Sequence, residues 1–230
     1  MYGDIGASSY EETHVNTNAS TILTNLNKWY TNVLSKQANF SDSQLADTIW
    51  CNDKSVVTDA TFNPFSLTLG TNYGYGNNEN YYSAIKRLSS TSGSAGGTGP
   101  SLICPNDYTG GKLSKFTVSD TEHGNGALSG YAKVGLLTAD EIVFAGGALD
   151  TSNETYYIYG NTNSIPWQAL SPSDHKGDVA HFWVVDGDNG SLFFASVIEG
   201  GNVRPSLSLQ PGVKISSGVG SATSPYKIVG

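Results

Sequence analysis

The chain has 230 residues, enough for one large domain or two small ones with a sizeable core; we expect a single domain over 1–230. Charged residues make up only 14% of it, so its polarity comes from Asn, Ser, Thr, Tyr and Gly, the neutral hydrogen-bonding composition common outside the cell. A net charge of −8 with no dense Lys/Arg cluster opposes nucleic-acid and membrane-surface partners. No apolar run of about 18 residues occurs, and the start lacks the basic, apolar and small-residue regions of a signal peptide, so any export signal or anchor is expected outside this sequence.

The first periodic segment spans Thr21 to Ser35, where Ile22, Leu26, Trp29, Tyr30 and Val33 recur at helical spacing and Asn18 or Ser20 can cap it. Ser41-Asp42-Ser43-Gln44 has the pattern of a reciprocal cap, and Leu45 and Ile49 follow at one-turn spacing, which predicts a second helix ending near Trp50. Residues 52–77 are rich in Gly, Asn, Asp and Pro with little periodicity and read as a long ordered loop held by the neighbouring cysteine. A third helix is expected over Glu79 to Ser89, with Tyr82, Ile85 and Leu88 against the core. The tract Ser90 to Pro100 reads as a flexible surface loop. It lacks the Gly-Lys-Ser/Thr of a phosphate-binding loop, and Pro100 stands where a helix should begin.

Cys51 and Cys104 are the two cysteines, and an even count in a chain of this composition favours a disulfide over two packed thiols. A bridge across 53 positions constrains the unfolded chain by about 4 kcal/mol in the loop-entropy account.

Strands are expected at Lys115 to Ser119 and Val134 to Leu137, the second running into Thr138-Ala139-Asp140-Glu141, a full capping box. The helix that follows runs through Phe144 and ends at Gly146-Gly147. Asp140 and Glu141 invite reading as a catalytic carboxylate pair. Capping accounts for both: Glu141 closes the box and Asp140 suits the positive end of the helix.

Of four histidines, His175 and His181 lie close in sequence, and with Asp174 and Asp178 they give Asp-His-x-x-Asp-x-x-His. On a helix that spacing ligates metal, but Pro172, Gly177 and the run Val179 to Val185 argue for loop then strand, so no metal is expected. Asp186-Gly187-Asp188-Asn189-Gly190 opens like a calcium loop but has Gly at its fifth position and Val197 at its twelfth. It is more economically a hairpin turn with Asn-Gly in left-handed positions. Its flanks, His181 to Asp186 and Leu192 to Val197, alternate as strands that present apolar residues on both faces, so alternation alone leaves open which face is exposed; Ser173 to Asp178 and Asp186 to Ser191 are expected at the surface. Arg204 suits pairing with a buried carboxylate, and Pro205 places its strand at an edge or bulge. No acid, base and nucleophile assemble and no Gly-x-Ser-x-Gly elbow occurs, so neither catalytic residues nor a cofactor are expected.

Several segments carry a resemblance in order along the chain. They are Met1-Tyr-Gly, Tyr10 to Asn18 with Glu-Thr-His-Val-Asn-Thr, Lys28-Trp29-Tyr30, Cys51-Asn-Asp-Lys, Cys104-Pro, Lys133 to Gly147, Trp167-x-x-x-Ser171-Pro172, Val203-Arg204-Pro205 with Ser-Leu-Ser-Leu209, and Ser224-Pro-Tyr226. Together they resemble secreted bacterial C-type-lectin-like domains of the formylglycine-generating-enzyme-like branch, as found in pilin-like surface proteins of Gram-positive gut bacteria. The resemblance implies an α+β, C-type-lectin-like fold with N-terminal helices and a small twisted antiparallel sheet, a helical and loop-rich half over about 1–130 and a sheet half over about 131–230. It implies a non-catalytic, extracellular ligand-binding or adhesion domain at the bacterial surface, whose partner is a protein or glycan, with neighbouring filament subunits as a structural alternative and an enzyme of the formylglycine-generating type as a more distant one. Both cysteines lie outside the matching part of the enzymes, and the Glu-Pro-Asn, Gln-Pro-Asp and Trp-Asn-Asp elements of calcium-bridged sugar binding are missing. By analogy with diversified members, ligand contacts are expected at Trp167, Ser173, Asp174, His175, His181, Trp183 and Asp188.

Overall fold

The computed structural model describes residues 20–46, 48–70, 78–104, 112–116, 133–160, 163–177, 179–221 and 223–229. It is a mixture of helix and largely antiparallel sheet, an α+β chain. Helix α1 covers Thr21–Asn32, and Ser20 caps it by accepting from the Leu23 amide at 3.1 Å. Leu23, Leu26 and Tyr30 are buried on one stripe, while Ile22 and Trp29 pack beside them. Val33 lies past the end and is exposed, because a short 3₁₀ turn over Leu34–Lys36 replaces the expected last turn.

The second expected helix does not form. Ser41 does donate its amide to Gln44 Oε1 at 2.7 Å, but the element is a single 3₁₀ turn, Asp42–Gln44. Leu45 is then extended and fully buried, bridged to Leu209, and the Ala46 amide donates to Ser208 O. Pairing with a distant segment takes the backbone groups that a helix would use. The chain continues as strand β1, Thr48–Asn52, antiparallel to β3, Lys112–Phe116, with Cys51 opposite Leu113. Cys51 thus sits on a strand, and it is disulfide-bonded to Cys104. The expected strand Lys115 to Ser119 begins three residues earlier, and its last three positions lie outside the described residues, as does 71–77 of the long loop.

The main sheet joins β2 (Asn80–Tyr81), β4 (Trp167–Lys176), β5 (Val179–Val185) and β6 (Leu192–Ser196) in that order, and β7 (Asn202–Val203) adds to β4 in parallel. Strand β4 is shared along its length: Trp167 and Gln168 pair with β7, while Asp174 and His175 pair with β2. Register shifts on both sides of Pro172 let a residue without an amide proton sit inside the sheet. Helix α2, Ser83–Leu88, is shorter than expected because Asn80 and Tyr81 are strand. Helix α3, Ala139–Phe144, has the expected box: Glu141 N donates to Thr138 Oγ1 at 3.1 Å and Thr138 N to Glu141 Oε2 at 2.7 Å.

The two short helices lay Ala84, Ile85, Leu88, Ala139 and Ile142 against Trp167, Ala169, Trp183, Val185 and Leu192, forming the main core. A second cluster joins α1 to the sheet through Leu26, Tyr30, Leu45, Val134, Leu136 and Leu170. The expected strand at Val134 to Leu137 does not form; the segment is tied to the sheet by single contacts, Gly135 exchanging both backbone bonds with Ser206 and Leu170 N donating to Leu137 O. The Ser90–Pro100 tract is an irregular, largely exposed segment bonded to α2. Its amides at Gly96, Thr98 and Gly99 donate to the carbonyls of Leu88, Lys86 and Arg87, satisfying the free end of α2. A separate two-stranded sheet pairs β8, Ile215–Ser217, with β9, Lys227–Ile228.

Candidate functional site

The turn between β5 and β6 is built from its own side chains and braced by a second loop. Asp186 Oδ1 accepts from the amides of Asp188 and Asn189 at 2.7 and 3.3 Å, and Gly190 N returns to Asp186 O at 3.1 Å. Gly190 takes φ 75°, whereas Asn189 does not enter the left-handed region, so one residue rather than the expected two carries the reversal. Two tyrosines of the 153–160 segment reach into this turn. Tyr159 donates to Gly187 O at 3.1 Å and Asp188 O at 2.7 Å, Tyr156 donates to Gly190 O at 2.9 Å, and Asn153 N donates to Asn189 O at 2.9 Å. Burial pushes the Tyr156 hydroxyl up to about 12, so it stays a donor throughout the physiological range.

Side chains on this braced pair of loops face solvent. Tyr157 is 76% exposed between the two buried tyrosines, Ile165 is half exposed, and Asp188 is exposed. Ser164 donates to Asp188 Oδ1 at 3.0 Å from a segment where Asn163 and Ser164 both have positive φ, 54° and 68°. Two consecutive non-glycine residues in that region cost on the order of 1–3 kcal/mol each and persist where the surroundings over-determine them.

The expected ligand contacts divide. Asp188 is at the surface, and His181 is partly so, with 24% of its side chain exposed. Trp167 and Trp183 are 1% and 0% exposed, within the main core, and their indole nitrogens have no hydrogen-bond partner among the described residues. Ser173, Asp174 and His175 are also buried, which overturns the expectation of an exposed loop there. The cause is the sheet. Ser173, Asp174 and His175 belong to β4, flanked by β2 and β5, and Tyr82 N donates to Ser173 O at 2.9 Å. Asp178 lies outside the described residues.

What β4 and β5 do bring together is Asp174 and His181, with Nδ1 of the ring 2.9 Å from Oδ1 of the carboxylate. The hydrogen bond to Asp174 raises the His181 pKa above its usual 6.5, more than partial burial lowers it. Ser173 Oγ donates to the second carboxylate oxygen at 3.1 Å. His175 turns elsewhere, its Nδ1 lying 2.8 Å from Asn78 O. Among the described residues no three His, Cys, Asp or Glu side chains are placed to hold a metal ion.

Among the described residues Arg204 has no carboxylate partner. Its Nη1 and Nη2 donate to Ile158 O and Gly160 O, each at 2.6 Å, and its guanidinium stands 4.7 Å from the Trp167 ring centre. It anchors the same loop that carries Tyr157, and burial lowers its pKa. Asp140 does more than favour a helix end: Arg87 grips it while also contacting Asp53. The sequence signal for this triad was faint, since nothing local links position 87 to 53 or 140. Neither protein-family models, curated proteins nor solved structures provide a match to this chain.

Proposed function

We propose that this chain is a non-catalytic, extracellular ligand-binding or adhesion domain of a bacterial surface or pilus-like protein, with a C-type-lectin-like fold. The observation that carries this reading is the braced turn: Tyr156 and Tyr159 lock the Asp186–Ser191 reversal to the neighbouring loop, while Tyr157, Ile165 and Asp188 remain open to solvent. A rigid aromatic and polar surface binds with little ordering cost, which is what a recognition site needs. The low charge and the Cys51–Cys104 bridge suit an oxidising compartment. Recognition is therefore assigned to the loops, with Tyr157 and Ile165 joining Asp188, rather than to the buried faces of β4 and β5.

The test is an array of glycans and extracellular-matrix proteins probed with the oxidised domain beside a Tyr157→Ala, Ile165→Ala, Asp188→Ala triple variant. Binding by the parent that the variant loses supports the reading. An array on which the folded parent captures nothing, or on which the variant binds as well as the parent, removes this surface as the recognition site.

A further inference from the structure

A cleft of about 600 Å³ opens between the Asp42–Gln44 turn and the β8–β9 hairpin, sharing no residue with the braced turn. Its size suits a small ligand. The described residues lining it include no acid, in a chain with 20 of them. Asp42, between two lining serines, turns its carboxylate to the Tyr30 hydroxyl and the Lys133 ammonium. The lining polar groups are hydroxyls and side-chain amides, Ser41, Ser43, Asn39, Gln44 and Gln210, with one cation, Lys214.

Two of the amides are fixed in place. Gln44 Nε2 donates to Val229 O at 3.1 Å and Gln210 Nε2 to Leu45 O at 3.0 Å, so their remaining groups are presented without further ordering. Asn39 is exposed, and Lys214 is exposed with no ion pair to any described residue. Phe40 contributes a half-buried ring that packs edge-on against Tyr30, and Val213 and Val229 add apolar surface. An extended peptide would call for unpaired backbone, but here the amides of Gln210, Val213 and Val229 already donate to Gln44 O, Gln210 O and Lys214 O.

From this lining we infer that the cleft binds a short saccharide bearing a carboxylate: hydroxyl groups on the amides and serines, the C–H face of a pyranose on Phe40, and the carboxylate on Lys214. A sialic acid and a uronic acid share that chemistry. This site is independent of the braced turn, and either can fail alone.

The test titrates the full oxidised chain with sialyllactose and with tri-galacturonic acid, each against a neutral counterpart, lactose and galactotriose, following amide shifts by NMR. At least one carboxylated probe binds about fivefold more tightly than its neutral partner, the contribution of one exposed ion pair. Lys214→Gln abolishes that preference without weakening the neutral probe, and Asn39→Ala weakens both. Which acid binds identifies the source. The inference is overturned if no carboxylated probe shifts the cleft amides at about 10 mM, a concentration that detects even very weak binding. It is equally overturned if Lys214→Gln leaves the preference intact.

Discussion

Arg87 holds Asp140 in a two-pronged grip, with Nε 2.6 Å from Oδ1 and Nη2 2.8 Å from Oδ2, while Nη1 and Nη2 both reach Asp53 Oδ2 at 3.1 Å. The grip ties α2 to α3 and to the segment after the Cys51 strand, and Asp140 Oδ1 also accepts from Ser101 N at 2.8 Å. Burial disfavours the guanidinium charge, yet the bonds and charges of Asp140 and Asp53 together raise its pKa. Arg87→Met therefore strands two buried carboxylates and lowers stability by about 3–5 kcal/mol. Arg87→Lys keeps the charge but loses the fork, giving an intermediate loss. Urea unfolding of the two variants checks the order; equal stability of Met and parent would remove the clamp's role.

The Asp174–His181 pair makes stability depend on pH. A folded pKa raised above the usual 6.5 means that the protonated ring favours the fold. Its contribution is complete below that usual value and is lost as pH rises through the higher folded one. The denaturation midpoint of the parent should fall across that window relative to His181→Gln, in which this component of the slope is absent. Parallel pH profiles for the two proteins would show that the pair contributes nothing.

The Cys51–Cys104 bridge joins β1 to the loop that follows the Ser90–Pro100 tract, across 53 positions. The chain-entropy account gives it about 4 kcal/mol, most of it through the unfolded state. The double variant Cys51→Ser, Cys104→Ser should keep the far-ultraviolet spectrum of the oxidised protein and lose about that much in urea unfolding. A change well under 1 kcal/mol would show that the unfolded chain is already constrained.

Local signals were legible and shared burial was not. Ser20, the Thr138–Glu141 box and the Gly146 stop each act within one turn, and each was readable. The Thr48–Asn52 strand depends on Lys112–Phe116, over sixty positions away, so the nearby capping pattern at Ser41 misled. At Pro172 to Lys176, Pro, Ser, Asp, His and Lys spell loop by composition. Two register shifts absorb Pro172, and neighbours on both sides bury Asp174 and His175. The same gap separates expected from observed site residues. Alternation in β5 gave two apolar faces, and neither meets solvent: Trp183 lies in the main core under the two short helices, while Phe182 and Val184 are buried in a separate cluster with Ala195. Tyr156 and Tyr159 showed no signal before the turn and its brace were seen together.

Two glycines with similar backbone angles separate conformational strain from steric fit. Gly177 has φ 62° and open space where a Cβ would sit, so Gly177→Ala costs only the left-handed penalty, about 1–2 kcal/mol. Gly190 has φ 75°, but its Cβ would lie 2.1 Å from Asn153 O, a backbone atom that cannot swing away. Relief requires the 153–160 segment to move off the turn, breaking the bonds from Asn153 N to Asn189 O and from Tyr156 to Gly190 O. Gly190→Ala should therefore cost about 3 kcal/mol or more and speed amide exchange at Asp188 and Ser191, whereas Gly177→Ala leaves those amides protected. The same substitution should weaken any ligand held by Tyr157 and Asp188, because it releases the brace without touching either side chain. Protection at Asp188 that survives Gly190→Ala would mean that the turn holds its shape without its tyrosines, and the preorganisation argued for this surface would fall with it.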